Sequence, residues 1–430
     1  MIPRRNAASA APAPSGQAGF SLIEVLVSLL ASSILLVAVL TTLNFNSRVA
    51  RVQGHMADLQ QSLRISQYDI TRMVRMAGRG GLLLSDPTVA PIPNGIAIGI
   101  RDNVDEGEVL ADGVPESLVL AGTDVLTVRG VFSAPRYQVN PSDSAVMTLN
   151  PAAGTGRITI NSPNFKGFQQ DLQPLRDVIA KGIPDALLIV SALDDSIYTV
   201  VQVLPGASAA GPNSVTIAFQ FNNSELANAY QRLSPGGVFP AALQNVIHVG
   251  LLGEYRFYVR EERAANDVRD NLAPKLSRGR FFPGTDIPYA NIDGEAVLDV
   301  ADNVMDLQVA LGFDSSNRGF RLQDDNNIGE DDQIVETADG ADDDWLFNGE
   351  RDNAADAVWQ AAAPAPTLQY VRITTLARTD RRDPNPSYEA PPLPERLENT
   401  GYDAGHPLNA PEERGFRWRS LQTVIDLRNL

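Results

Sequence analysis

The chain has no cysteine in its 430 residues. Structural disulfides, thiolate metal centres and cysteine nucleophiles are excluded together. Histidine is scarce as well: His55, His248 and His406 stand singly, leaving little material for general-base or imidazole–metal chemistry. Positive charge is outnumbered, with 35 Lys and Arg against 52 Asp and Glu and a formal net charge of −17. A general nucleic-acid binder would carry a basic footprint, so any contact of that kind would have to be local. The P-loop, the dinucleotide fingerprint, HExxH and GxSxG are all missing, LPGASAAGP offering only GASAA. Apolar material, by contrast, is ample: 43% of residues are hydrophobic, enough for a sizeable core in one large or roughly two to three ordinary domains.

No charge and no proline occur from Val25 to Ser47, and Val25 to Leu43 is dominated by Leu, Val, Ile and Ala. That length suits a membrane span of about 20 residues. Glu24 sits at its mouth as the sole charged residue between Arg5 and Arg48. A carboxylate in hydrocarbon costs roughly 2.5–3.5 kcal/mol. Two readings of it stand: a side chain that snorkels to the headgroups, or one that leaves water together with an opposite charge. Upstream lies MIPRRNAASAAPAPSGQAG, with Arg4 and Arg5 near its start. A secretory signal would place its apolar region before the cleavage site. Here the basic leader ends in Gly19 and the apolar run follows it.

The order basic leader, Gly19, Phe20, Ser21, Leu22, Ile23, Glu24, apolar helix resembles the class III signal of type IV pilins and pseudopilins. The resemblance implies cleavage between Gly19 and Phe20 by a prepilin peptidase on the cytoplasmic face, with N-methylation of Phe20. It also implies that Glu24 neutralises the Phe20 amine of a neighbouring subunit in a filament. Arg4 and Arg5 agree with the positive-inside rule. Many major pilins carry a proline in mid-helix; Thr41 and Thr42 stand there instead, so a proline kink is not expected.

Beyond Arg48, small or apolar residues recur at Val52, Met56, Leu59, Leu63, Ser66, Ile70, Met73 and Ala77, the stripe of an amphipathic helix. Gly78 to Gly81 supply its stop, and Gly54 is a soft point within it. One helix from Ser21 to Ala77 would be about 85 Å long. Short apolar runs then alternate with Gly, Pro, Asn and Asp, and candidate strands fall at 124–131, 157–160, 186–191, 197–204, 214–221, 254–260, 306–313, 369–377 and 417–427. A helix followed by many strands reads as α+β with an antiparallel sheet.

ITRMVRMAGRGG (70–81), TDVLTVRG (123–130), LLIVSALDDSIYTVVQVLPG (187–206), LLGEYRFYVRE (251–261), NVMDLQVALGFD (303–314), YVRITTLART (370–379) and the terminal LQTVIDLRNL are similar, in this order, to PilW-type minor pilins. J-type minor pseudopilins of type II secretion share the N-terminal motif and remain the alternative, with a pilus-tip adhesin as a third. The resemblance implies a cleaved leader (1–19), a transmembrane and filament-core helix (20–47), an amphipathic continuation (48–79) and a β-rich globular domain (80–430). It implies no catalysis. Expected partners are the prepilin peptidase, other minor and major pilins, the inner-membrane assembly platform and, before assembly, membrane lipid. The expected location is the inner membrane, then the periplasm or the extracellular pilus.

Two segments interrupt the pattern. Between Asp324 and Asp356 lie thirteen acidic residues and one arginine, a net −12 of the chain's −17. DDNNIGEDD (324–332) looks like a calcium loop but fails the EF-hand template, with Ile328 fifth and Val335 twelfth. The segment is therefore either a solvated surface loop or a calcium site drawing on Asp314, Asn317, Asp324 and Asn326. No other cofactor is expected. The second segment, Asp380 to Gly415, is proline-rich and sits between the last two strands as a place for partner contact. With no disulfide available, the C-terminus has to be tied down by strand pairing of Arg417 to Leu427.

Overall fold

The computed structural model describes residues 21–82, 97–104, 118–132, 136–140, 146–192, 198–221, 245–261, 274–285, 287–289, 297–314, 345–346, 367–385, 388, 393, 396–398, 400–401, 408 and 413–427. The chain divides into two units, Met1–Gly54 and His55–Leu430.

Helix α1 (Leu22–Val74) begins in the first unit. Its apolar residues there, from Leu22 to Val49, are exposed, Leu22 at 82% and Leu35 at 68%. Three of the hydroxyls in this stretch donate within the helix. Ser33 donates to the Leu29 carbonyl (2.6 Å), Thr41 to Val37 (2.7 Å) and Thr42 to Ala38 (2.8 Å). A hydroxyl bonded back to the preceding turn is not left unsatisfied in an apolar surrounding. The helix is long and apolar enough here to cross a membrane.

In the second unit α1 turns one face to the core. Leu59, Leu63, Ser66, Gln67, Ile70, Met73 and Val74 are buried, while Met56 is half-buried. The helix ends at Val74, and the chain continues through turns to Gly81 rather than as helix to Ala77. The glycines do more than stop it. Gly78 N–H donates to the Arg129 carbonyl (2.9 Å) and Val131 N–H to the Arg79 carbonyl (2.7 Å), so this turn lies along a strand. A Cβ on Gly130 would meet the Met76 carbonyl at 2.8 Å, and one on Gly80, whose φ is +109°, would meet Val131 at 2.5 Å. Only glycine permits both the positive φ and the close approach.

The strands in chain order are β1 (Ile98–Arg101), β2 (Leu118–Val119), β3 (Val125–Gly130), β4 (Tyr137–Gln138), β5 (Met147–Asn150), β6 (Thr155–Asn161), β7 (Ala186–Ser191), β8 (Tyr198–Val203), β9 (Ala209–Ala210) and β10 (Ser214–Gln220). They continue as β11 (Val246–Glu261), β12 (Lys275–Phe281), β13 (Leu298–Asp302), β14 (Val304–Asp314), β15 (Trp345–Leu346), β16 (Thr367–Arg378), β17 (Arg396–Leu397), β18 (Thr400–Gly401) and β19 (Trp418–Asp426). A second helix, α2 (Gln173–Lys181), lies between β6 and β7. Every pairing is antiparallel. The fold is thus α+β: a long apolar N-terminal helix followed by an antiparallel-sheet domain.

The larger sheet follows the path β1-β3-β11-β7-β8-β10-β6-β5, with β12 and β13 joined through β11. β11 is its axis: Val246 to Leu252 pairs with β7, and Gly253 to Phe257 pairs with β3. All six residues of β7 are buried, as expected for a strand covered on both faces. On one side Ala186, Leu188 and Val190 join α1 and the second sheet in the main core. On the other, Leu187 and Ile189 pack with β6, β10 and Leu175 and Val178 of α2. The second sheet has the order β15-β14-β16-β19, so the last strand ties down the C-terminal region through nine consecutive pairs with β16.

Two polar devices fasten these layers. Gln67 of α1 is buried and its side-chain amide reaches the Leu421 carbonyl (3.0 Å), Thr375 Oγ1 (3.0 Å) and the Ile373 carbonyl (3.3 Å). Asp124, fully buried, stitches the larger sheet to β14. Its N–H donates to the Leu307 carbonyl (2.9 Å), and its carboxylate accepts the N–H groups of Val309 (2.7 Å) and Asn103 (2.9 Å). Nearby, Gln308 Nε2 donates to Asp306 (3.0 Å) and to the Gly122 carbonyl (2.9 Å).

Burial raises Asp124 well above the usual carboxylate range, with the charges of Asp102 and Asp306 adding to it against the two backbone N–H groups. Burial likewise pushes Asp306 up to about 7, although the Gln308 amide and the Leu307 N–H pull it down. An unfolded carboxyl gives up its proton near 3.8, whereas folded Asp306 holds it to about 7. The folded state therefore binds more protons between these values, and stability falls as pH rises through that window. Asp306→Asn is expected to raise Tm at pH 8 by a few degrees and to flatten the loss of Tm between pH 5 and 8; an equally steep loss in the variant would contradict this.

Candidate functional site

The features that carried functional meaning in the sequence gather at the start of α1. Ser21 precedes the first helical residue, and Glu24 lies three positions on. Ser21 N–H donates to Glu24 Oε2 at 2.9 Å, and Glu24 N–H points back to Ser21 Oγ at 3.4 Å. This is a reciprocal capping box, in which two of the donors that a helix start leaves unpaired are satisfied by side chains. The S-x-x-E spacing is the sequence signature of such a cap and could have located it. The sequence reading assigned Glu24 only an intermolecular partner, and the structure adds this one within the chain.

The position has two further properties. Glu24 is the only acidic residue in the first turn, where the helix dipole favours negative charge. It is also exposed and flanked by exposed Ile23 and Val25, so the carboxylate is accessible and, among the described residues, is held by its own helix terminus. Chemically such a group can accept a second charge-assisted hydrogen bond from a cation without losing the first, since it has two oxygens. Gly19 and Phe20, the expected processing positions, lie outside the described residues.

Of the candidate calcium ligands only Asp314 lies within the described residues. Asp314 ends β14, and Asn317, Asp324 and Asn326 lie outside the described residues. Among the described residues no three of His, Cys, Asp or Glu are placed to hold a metal ion. Buried carboxylates are instead satisfied by protein donors. Glu254 would be pushed up by burial, but Arg129 (2.7 Å), Arg256 (2.7 Å) and the Gly284 N–H (2.9 Å) bring it below its ordinary value.

The proline-rich segment after β16 is partly docked rather than wholly free. Glu398 is buried between Arg372 (2.6 Å), Thr374 (2.8 Å) and Gln422 (3.0 Å). Asp383 pairs with Arg417 (2.6 Å), Glu413 with Arg378, and Leu393, Leu397 and Leu408 pack with Leu376 and Trp418. Nothing in the spacing of that segment signalled Glu398, because its partners lie on strands remote in sequence. Gln67 could have been found: it continues the four-and-three spacing from Leu63 to Ile70 and Val74.

Residues 14–40 match the prokaryotic N-terminal methylation motif. This span contains Gly19, Phe20, the capping box and most of the apolar stretch. The chain thus carries a prepilin-type signal followed by a single apolar helix. No curated protein matches it. Among solved structures it is similar to a type IV-like pilin of Thermus thermophilus, with 11% identity over 61% of this chain and 100% of that chain. The TM-score is 0.17, and the likeness adds nothing to the fold described above.

Ser21→Ala removes one arm of the capping box, a change that costs about 0.5–2 kcal/mol at helix starts. In detergent solution the Glu24 amide is expected to exchange with solvent several-fold faster in the variant, while amides from Leu59 to Val74 keep their rates. Equal exchange at Glu24 would show that the cap does not hold this terminus.

Proposed function

We propose that the protein is a minor pilin precursor of the PilW type, a non-catalytic subunit that takes part in starting or capping a type IV pilus. The observation that carries this reading is the methylation motif at residues 14–40 running into an apolar helix with no cover of its own from Leu22 to Val49. A prepilin peptidase cuts after Gly19. The helix is then stored in the inner membrane until the assembly platform extracts it to pack among the helices of other minor and major pilins.

Glu24 acts in that packing. Its carboxylate, already steered toward its own helix start by Ser21, accepts the Phe20 amine of a neighbouring subunit. Two opposite charges removed from water together cost far less than either alone, and the pairing fixes the axial register of the incoming helix. The domain from His55 onward is far larger than helix packing needs, which supports a low-copy role at the tip.

The experiment separates charge from capping. Glu24→Gln keeps a side-chain acceptor for the Ser21 N–H but loses the charge; Glu24→Ala loses both. Both variants are expected to be cleaved normally and to fall by about tenfold or more in sheared filaments. Normal incorporation of Glu24→Gln would refute charge pairing, and failure of cleavage in both would move the role of Glu24 to processing.

A further inference from the structure

A strand at the edge of a sheet presents a row of unpaired N–H and C=O groups, and proteins usually shorten, bulge or charge such edges. The edges here follow that rule with one exception. β1 and β5 are four residues long, and β13 has five and pairs with β12 through a register shift. On the second sheet, β14 is covered at one end by β15 and along Leu307 to Val309 by Asp124. β19 is different: nine residues in unbroken register with β16, no proline, and no strand on its other side among the described residues.

The direction of its main-chain groups follows from the flanking bonds. Thr379 N–H donates to the Arg417 carbonyl, so the odd-numbered residues of this strand face β16. The even-numbered Trp418, Ser420, Gln422 and Val424 therefore turn their N–H and C=O groups outward. Side chains along the strand are largely open: Arg419, Ser420, Gln422 and Val424 are exposed, Val424 at 49%. Arg419 makes no ion pair among the described residues, although Arg372, Arg378 and Arg417 around it are each matched to a carboxylate.

We propose that the outer edge of β19 receives an extended strand from a different subunit of the assembly, bonded to the main chain of Trp418, Ser420, Gln422 and Val424, with an acidic residue opposite Arg419. A row of alternating donors and acceptors fits one kind of occupant, another strand, and sheet extension is an established mode of recognition. Self-pairing would leave Arg419 with no carboxylate opposite it. When two strands join antiparallel with their sheet faces preserved, residues of the same parity face each other. Two copies of β19 could never set Arg419 opposite Asp426, the strand's only acid, so the complementary carboxylate has to come from a different sequence.

This inference rests on the reading of the protein as an assembly subunit, and its test separates the two. Ser420→Pro and Val424→Pro each remove an outward N–H that has no partner within the chain, at an edge position that tolerates proline. In detergent solution both full-length variants are expected to melt with the wild type. Their recovery in sheared filaments is expected to fall by about tenfold or more. Incorporation of both variants at the wild-type level would overturn the proposal. Amide exchange at Ser420 and Val424 gives a second readout: slow in intact membranes or filaments and fast in detergent supports the added strand, and equal rates refute it. If the wild type itself is absent from filaments, the subunit reading fails, while the exchange comparison in membranes still decides the edge. Gln422→Cys places the chain's only thiol at the centre of the strand; a disulfide-linked homodimer would replace the different subunit by a second copy and overturn the assignment.

Discussion

The apolar side chains from Leu22 to Val49 lie exposed along α1, and no described residue covers them. Full burial of a Val, Leu or Ile side chain contributes about 1.5–3 kcal/mol. A surface this long cannot stay in water, and Ser33, Thr41 and Thr42 donate within the helix, so lipid and other apolar helices are the surroundings it suits. On the proposed reading, the lone carboxylate at the helix mouth and the packing of subunits both answer that single demand for cover. From Leu59 onward the same helix meets the opposite condition, with its apolar stripe covered by two sheets and fixed by the buried amide of Gln67.

The domain handles buried charge in two ways. Glu254, Glu398 and Asp185 are matched by arginines on neighbouring strands. Asp124 and Asp306 have backbone and amide donors that favour the ionised form, but burial outweighs them and raises both carboxyls above their ordinary range. A buried carboxyl is costly when it is charged, yet this is where β14 is joined to the larger sheet. Asn303, with φ +62°, is the single residue between β13 and β14, so the chain passes from one sheet to the other within a few residues of this pair.

Much of the architecture was readable from periodicity. The stripe from Leu59 to Met73 is buried, β7 occupies Ala186–Ser191 as its apolar run required, and β8, β10, β14, β16 and β19 lie within one to two residues of the expected strands. β11 was only half visible, because Val246 to Gly253 carries His248 and two glycines and reads as a break. α2 escaped as well: its nine residues bury only Leu175 and Val178, too few for a periodic signal. At the helix mouth, residue order pointed to Glu24. The reciprocal geometry needed coordinates, as did the open edge of β19, since no local pattern tells an edge strand from a central one.

The central claim is that the chain is trimmed after Gly19 and built into a filament. Mass spectrometry of N-terminal peptides from filaments sheared off the cell surface tests both parts at once. The account predicts a peptide that begins at an N-methylated Phe20. A protein that still begins near Met1, or one trimmed but confined to the membrane fraction, would contradict it.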